Sequence, residues 1–207
     1  MAEAARATTP RAIHPLFVRV THWVNAFAIF VMVLSGWRIY NASPLFRFEF
    51  PPGFTLGGWL AGALAWHFAA MWLLAINGVA YLAYGIVSGH FRRNFLPISL
   101  SRALDDIASA SRGRLDHAPG RYNAAQRLLY VGVILAAIVA ILSGLAIWKP
   151  VQLQGLTAVM GGYEAARLVH FFAMAAIVAF LVVHIGLAVT AKGVLAPMFT
   201  GRAGASR

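Results

Sequence analysis

Four histidines lie in apolar stretches long enough to cross a membrane: His22, His67, His170 and His184. An imidazole at such a depth can hydrogen-bond a neighbouring helix, relay a proton or ligate a metal. Ionisable groups inside a bilayer are costly and are functional candidates by default. His170 and His184 share one run, Leu168 to Ala191, that holds no Asp, Glu, Lys or Arg. On a helix their spacing turns them within about 40° of one another and separates them by about 21 Å along the axis. One helix face therefore offers an imidazole near each membrane surface. That is the pattern of two stacked cofactors, one per leaflet, provided other elements supply partners at the same two depths.

The elements that must do so can be read from the charge pattern. Val20 to Trp37, Phe50 to Phe91 and Leu128 to Trp148 are also free of charged residues. Four spans are predicted, at about 16–40, 55–89, 124–148 and 163–191, making an all-α, integral membrane four-helix bundle over residues 16–192 with tails at 1–15 and 193–207. The second run is read as one long helix projecting beyond the bilayer. His14-Pro15 opens the first span, where proline's missing N–H costs nothing. Between the second and third spans, Leu100, Leu104, Ile107 and Ala108 recur at helical spacing after Ser99, which predicts a short helix lying on the membrane surface.

Composition agrees and excludes much. The chain is 60% hydrophobic and only 11% charged, which is membrane composition. It has no cysteine, so disulfides, iron–sulfur ligation, thiolate zinc sites and covalent haem attachment are excluded. The net charge of +11 is a topology signal: of the 17 Lys and Arg, all but Arg38, Arg47, Lys149 and Arg167 fall in the two tails, the 90–123 loop or the helix ends beside them. The positive-inside rule then places both termini in the cytoplasm, and nucleic acid is not an expected partner. Trp37, Tyr40, Trp59, Trp148 and Tyr163 gather at the opposite, outer interface as an aromatic belt.

With this topology the histidines sort by depth. His22 and His184 lie in the inner half, His67 and His170 in the outer half. The pairs His22 with His184 and His67 with His170 follow, since any other pairing crosses about 20 Å of membrane. Paired imidazoles from facing helices are what bis-histidine haem ligation requires; the plainer alternative for each is a hydrogen-bonded packing residue. His14, His90 and His117 lie in flanks and loops. Arg19 precedes His22, and Arg167 precedes His170, by three residues on the same helix face, so each guanidinium could meet a haem propionate or simply snorkel to the interface. Leu34-Ser35-Gly36 recurs as Leu142-Ser143-Gly144. Gly36 and Gly144 would let a flat macrocycle approach the backbone, or let helices pack closely. The charge-free cores hold no carboxylate, so a carboxylate proton relay is absent.

These residues resemble the prokaryotic di-haem cytochrome b family (the cytochrome b561 type), whose members include the cytochrome b subunits of nickel–iron hydrogenases, formate dehydrogenases and thiosulfate reductases. The resemblance spans about residues 14–195 and rests on His14-Pro15 through His22-Trp23, on His67 and on the His170/His184 spacing. It implies two haem b groups ligated by His22 with His184 and His67 with His170. It also implies residence in the bacterial inner membrane, and electron transfer between quinone and a partner oxidoreductase subunit on the periplasmic side. The nearest flavour is that of subunits paired with molybdopterin enzymes. In related formate dehydrogenases the quinone site adjoins the inner haem, here the surroundings of His22 and His184. Two other functions remain open on the residues: a stand-alone haem enzyme such as a superoxide:quinone oxidoreductase, and a non-haem, histidine-lined transport module.

Overall fold

The computed structural model describes residues 14–89, 92, 99–111, 123–190 and 195–201. Among them are seven α-helices, numbered in chain order: α1 Leu16–Ala42, α2 Leu60–Val87, α3 Leu100–Ser111, α4 Ala124–Trp148, α5 Gln154–Val159, α6 Tyr163–Thr190 and α7 Leu195–Thr200. A 3-10 turn at Pro52–Phe54 completes the described secondary structure, which contains no strand. Helices α1, α2, α4 and α6 are long and apolar enough to cross a membrane. The chain is a multi-pass, all-helical membrane protein. The outermost tail residues, His90 and His117 lie outside the described residues.

The second span begins at Leu60 rather than near Thr55. Gly57 and Gly58 have φ of 108° and 68°, which no right-handed helix accommodates. Leu56 N donates to the Leu34 carbonyl at 3.0 Å, tying this stretch across to α1. The span ends at Val87 rather than 89, where Gly89 takes a φ of 66°, a common helix stop. The expected C-terminal tail contains a short helix, α7.

Long apolar side chains point outward, as at Ile76, Val79, Val182 and Val189, where lipid is the solvent. What the helices bury is small: Ala28, Ala63, Ala70, Ala146, Ala173, Ser35 and Ser143. Small residues let membrane helices approach closely. Close backbone packing occurs within two hairpins, α1 on α2 and α4 on α6, and hardly at all between them. Between the hairpins side chains make contacts, among them Tyr40 with Phe171, Phe68 with Trp148, Arg167 with Ser43 and two pairs of histidine rings.

The surface helix α3 is fixed to the third span by chemistry. Four N–H groups at an α-helix start have no internal partner. At α4, Asn123 Oδ1 accepts from Gln126 N at 2.8 Å and Gln126 Oε1 accepts from Asn123 N at 3.1 Å, a capping box. Asp106 of α3 accepts from Ala124 N and Ala125 N at 2.7 and 3.2 Å. Its negative charge also suits the positive end of the helix dipole. Leu100 and Leu104 of α3 stay exposed, as a helix resting on lipid requires.

Candidate functional site

The end of the bundle that carries the 43–59 and 149–162 loops is called outer here, following the orientation expected from the basic residues. At that end His67 of α2 faces His170 of α6, their ring centres 6.4 Å apart. Each ring is held from within its own hairpin. His67 Nδ1 is 3.1 Å from Ser35 Oγ and 3.1 Å from the Met32 carbonyl of α1. His170 Nδ1 is 3.1 Å from Ser143 Oγ and 2.9 Å from the Ala140 carbonyl of α4. The two arrangements match residue for residue, for Ser35 also donates to Val31 O and Ser143 to Val139 O, both at 2.6 Å.

This network assigns the tautomer. A carbonyl oxygen only accepts, so Nδ1 carries the proton in both rings. Each serine spends its own hydrogen on the carbonyl four residues back and offers a lone pair to the imidazole. Nε2 is then the bare nitrogen, the one with a lone pair to offer a metal. The glycines that follow the serines leave room for these rings: a Cβ at Gly36 would stand 3.4 Å from His67 Cε1, and one at Gly144 would stand 3.2 Å from His170 Cε1.

At the inner end His22 of α1 faces His184 of α6 with ring centres 6.0 Å apart. Here the surroundings are aromatic. Phe180 stacks on His184 at 5.3 Å and 14°, Tyr130 meets it edge-on at 6.4 Å, and Trp23 stands edge-on to His22 at 5.3 Å. Among the described residues neither ring has a protein hydrogen-bond partner like the serine–carbonyl pair of the outer site.

The predicted arginines take different roles. Arg167 bridges the hairpins at the outer end, donating to the Ser43 carbonyl at 2.5 Å and pairing with Glu164 at 2.9 Å. Arg19, one turn from His22, packs against Gly201, and its buried Nε has no hydrogen-bond partner among the described residues.

Two imidazoles on one iron, with metal–nitrogen bonds of about 2 Å and about 1.1 Å from nitrogen to ring centre, put the centres roughly 6.2 Å apart. The observed 6.0 and 6.4 Å fit a bis-histidine iron at each level. Among the described residues no group of three His, Cys, Asp or Glu could hold a metal ion. Two donors suit the axial positions of haem and fall short of a zinc site, which takes three or four protein ligands.

Comparison with known proteins gives the family. Residues 13–201 match the family model of prokaryotic cytochrome b561. The chain belongs to this family. A cytochrome b561 of this kind binds b-type haem, and with no cysteine in the chain ligation and packing would hold it. The chain is 51% identical over 191 residues to a putative protein-methionine-sulfoxide reductase subunit, YedZ1, of Azospira oryzae, covering 92% of this chain and 96% of that protein. It is 26% identical to a probable Ni/Fe-hydrogenase B-type cytochrome subunit of Bradyrhizobium diazoefficiens, over 83% of this chain and 75% of that one. It is also 26% identical to the formate dehydrogenase cytochrome b556(fdo) subunit of Escherichia coli, over 88% and 81%. This cytochrome b561 thus resembles membrane subunits of several oxidoreductases.

Three features of the site escape a reading of spacing alone. The serines of the Leu-Ser-Gly repeat, not only its glycines, face the outer histidines. The signal was present, since Ser35 and Ser143 recur in the helix preceding each outer histidine. Asn77 of α2 donates to Asn25 Oδ1 at 2.7 Å and to the Thr21 carbonyl at 2.8 Å, a polar clasp at about the depth of the inner pair. Helix α7 folds back on α1, with Phe199 stacked on Trp23 at 4.6 Å and Trp23 Nε1 donating to the Met198 carbonyl at 3.2 Å.

Proposed function

We propose that this cytochrome b561 is the membrane electron-transfer subunit of a two-component oxidoreductase in the bacterial inner membrane, with both termini in the cytoplasm. It holds two b-type haems, one on His67 and His170 and one on His22 and His184, and exchanges electrons between membrane quinone and a catalytic partner at its outer end. The observation that carries the reading is the pair of ring separations, 6.0 and 6.4 Å, each of which suits one iron. Bound haem b supplies a one-electron Fe(III)/Fe(II) couple. The chain's own residues orient the four imidazoles, keep water out with an aliphatic and aromatic shell, and set a guanidinium at each end, Arg19 inside and Arg167 outside, within a turn of a ligand. Gly36 and Gly144 keep the outer rings free to turn their Nε2 inward.

The partner's chemistry rests on likeness. The relative that is 51% identical is named as a subunit of a protein-methionine-sulfoxide reductase, so the expected partner reduces oxidised methionine in proteins. The 26% identical relatives serve other oxidoreductases, and the earlier resemblance to subunits of molybdopterin enzymes points to a partner of that kind. The 43–59 loop offers the partner a roofed surface. Phe50 stacks on Trp37 at 4.6 Å, Phe48 on Tyr40 at 5.2 Å, and Phe46 meets Phe171 edge-on at 5.1 Å.

The test is a haem count followed by electron transfer. Purified protein is expected to yield two haems per chain by pyridine haemochrome, to be reduced by a quinol analogue, and to be reoxidised by methionine-sulfoxide protein only when its reductase is added. One haem per chain would overturn the two-site reading. Turnover of superoxide with quinone and no partner would replace it with a stand-alone enzyme.

A further inference from the structure

The two sites differ in what stands behind the imidazoles, and that difference has an electronic consequence. At the outer site each Nδ1–H points at two acceptors, a serine oxygen and a helix carbonyl. A hydrogen bond from the far nitrogen makes an imidazole a stronger electron donor through the near one, because the ring gains imidazolate character. A stronger donor favours ferric over ferrous iron. Second-shell hydrogen bonding is one of the levers by which a protein sets the potential of its haem. Both outer ligands carry this device, and they carry it symmetrically. Among the described residues the inner ligands do not.

Fixed charge acts in the same direction. A cation near an iron favours the state with less positive charge, which is ferrous. Next to the outer pair, Arg167 is compensated by Glu164 at 2.9 Å. Next to the inner pair, Arg19 has no ion-pair partner among the described residues, and its Nε is buried. The outer site is therefore pushed toward ferric by its ligands and little helped by its cation, while the inner site has the reverse.

Building on the proposed di-haem function, we infer that Ser35 and Ser143 are positioning residues that, with the Met32 and Ala140 carbonyls, lock His67 and His170 as Nδ1–H donors and make the outer haem the lower-potential one of the two. At rest an electron shared by the two sites belongs on the inner one. The serines do more than brace their own helices through the carbonyls four residues back. A merely structural serine would alter how much haem is bound, whereas a tuning serine alters the potential of the haem that remains bound.

The experiment is a spectroelectrochemical titration of the purified, haem-loaded protein. In the wild type two one-electron components are expected. The lower one should vanish in His67→Ala and the higher one in His184→Ala. In Ser35→Ala/Ser143→Ala the lower component should move up by about tenfold in its reduction equilibrium constant, about 59 mV for one electron, with the higher component unmoved. Ser35→Thr and Ser143→Thr keep a hydroxyl and should return it toward the wild-type value. If His67→Ala removes the higher component, the inference is overturned; the same holds if the double alanine variant loses haem while the midpoint of what remains stays fixed. The wild-type assignment needs no serine variant, so it decides the matter even if those variants fail to fold. A wild type with fewer than two haems would instead overturn the di-haem function itself, and it would show in the haem count before any potential is read.

Discussion

The two ends of this bundle place the same pair of side chains at nearly the same separation and support them by different means. The outer imidazoles are gripped by polar groups of their own hairpins, and above them the 43–59 loop is pinned by Asn41, whose side chain both donates to Phe50 O at 2.8 Å and accepts from Phe50 N at 2.9 Å. The inner imidazoles have aromatic neighbours instead, and α7, a helix of six residues, packs on Trp23 beside them. Hydrogen bonds fix a ring's direction and its tautomer, whereas stacking fixes its plane and leaves its electronics alone. The same ligand type can thus serve two electronic ends, one stiff and one adaptable.

The largest effect should come from cutting a ligand. His67→Ala and His170→Ala are expected to remove the same haem, and His22→Ala and His184→Ala the other, each leaving about one haem per chain. Haemochrome assay with low-temperature spectra checks the grouping. Pairing of His22 with His67 in the same spectral class would break the depth assignment and the comparison with it.

A smaller effect tests the stiffness of the outer end. A Cβ on Gly144 would come within 3.2 Å of His170, inside normal carbon contact, whereas one on Gly36 meets His67 at 3.4 Å. Gly144→Ala should therefore lower haem occupancy at the outer site more than Gly36→Ala, at a cost of about 1–3 kcal/mol for overpacking. Equal occupancy in the two variants would mean that the outer rings are freer than their hydrogen bonds imply.

Asn77→Ala comes next. It removes the clasp on Asn25 and the Thr21 carbonyl, which join α1 to α2 near His22. Membrane hydrogen bonds of this sort contribute about 0.6 kcal/mol on average and at most about 1.7. A small loss of thermal stability is expected, with the inner haem's spectrum perturbed and the outer one's unchanged. A shift confined to the outer haem would contradict the assignment of this clasp to the inner level.

Much of this was legible in the sequence because membranes simplify the code. Charge-free runs must be helices, and a 14-residue spacing on one helix face leaves two depths, at each of which two histidine rings meet. The start of α2 is not legible, since an apolar run cannot show that Gly57 and Gly58 adopt left-handed backbone. The contact of the repeat's serines with histidine is not legible, because serine in a helix usually bonds its own backbone, as these also do. Only the antiparallel register of each hairpin shows that the same oxygens reach a histidine on the next span. Asp106 was invisible as a cap because it lies far in sequence from the helix start that it completes. Helix α7 is too short for a periodic signal, and its contacts with Trp23 are purely tertiary.

The smallest effect concerns the inner cover and is read by pH. His14 precedes α1, and its side chain is partly buried near Arg19. Loss of water around the ring, and then the Arg19 charge, hold its pKa below the ordinary 6.5. The folded protein thus resists a proton that the unfolded chain accepts at about 6.5. Below that pH the unfolded state binds more protons, so stability falls with acidity; above it the two states bind equally few and the contribution is flat. The Gly201 end of α7 lies against both Arg19 and the His14 carbonyl, so this local cost should appear as fraying of α7. The protection factors of the α7 amides, taken relative to intrinsic exchange at each pH, should fall between about pH 7.5 and 5.5 in the wild type, and less so in His14→Gln, which cannot take the proton. The 43–59 loop contains no histidine, so its amides should show no matching change. An identical pH slope for α7 in His14→Gln and wild type would remove His14 from the account, leaving the aromatic stack on Trp23 as the principal hold on the inner cover.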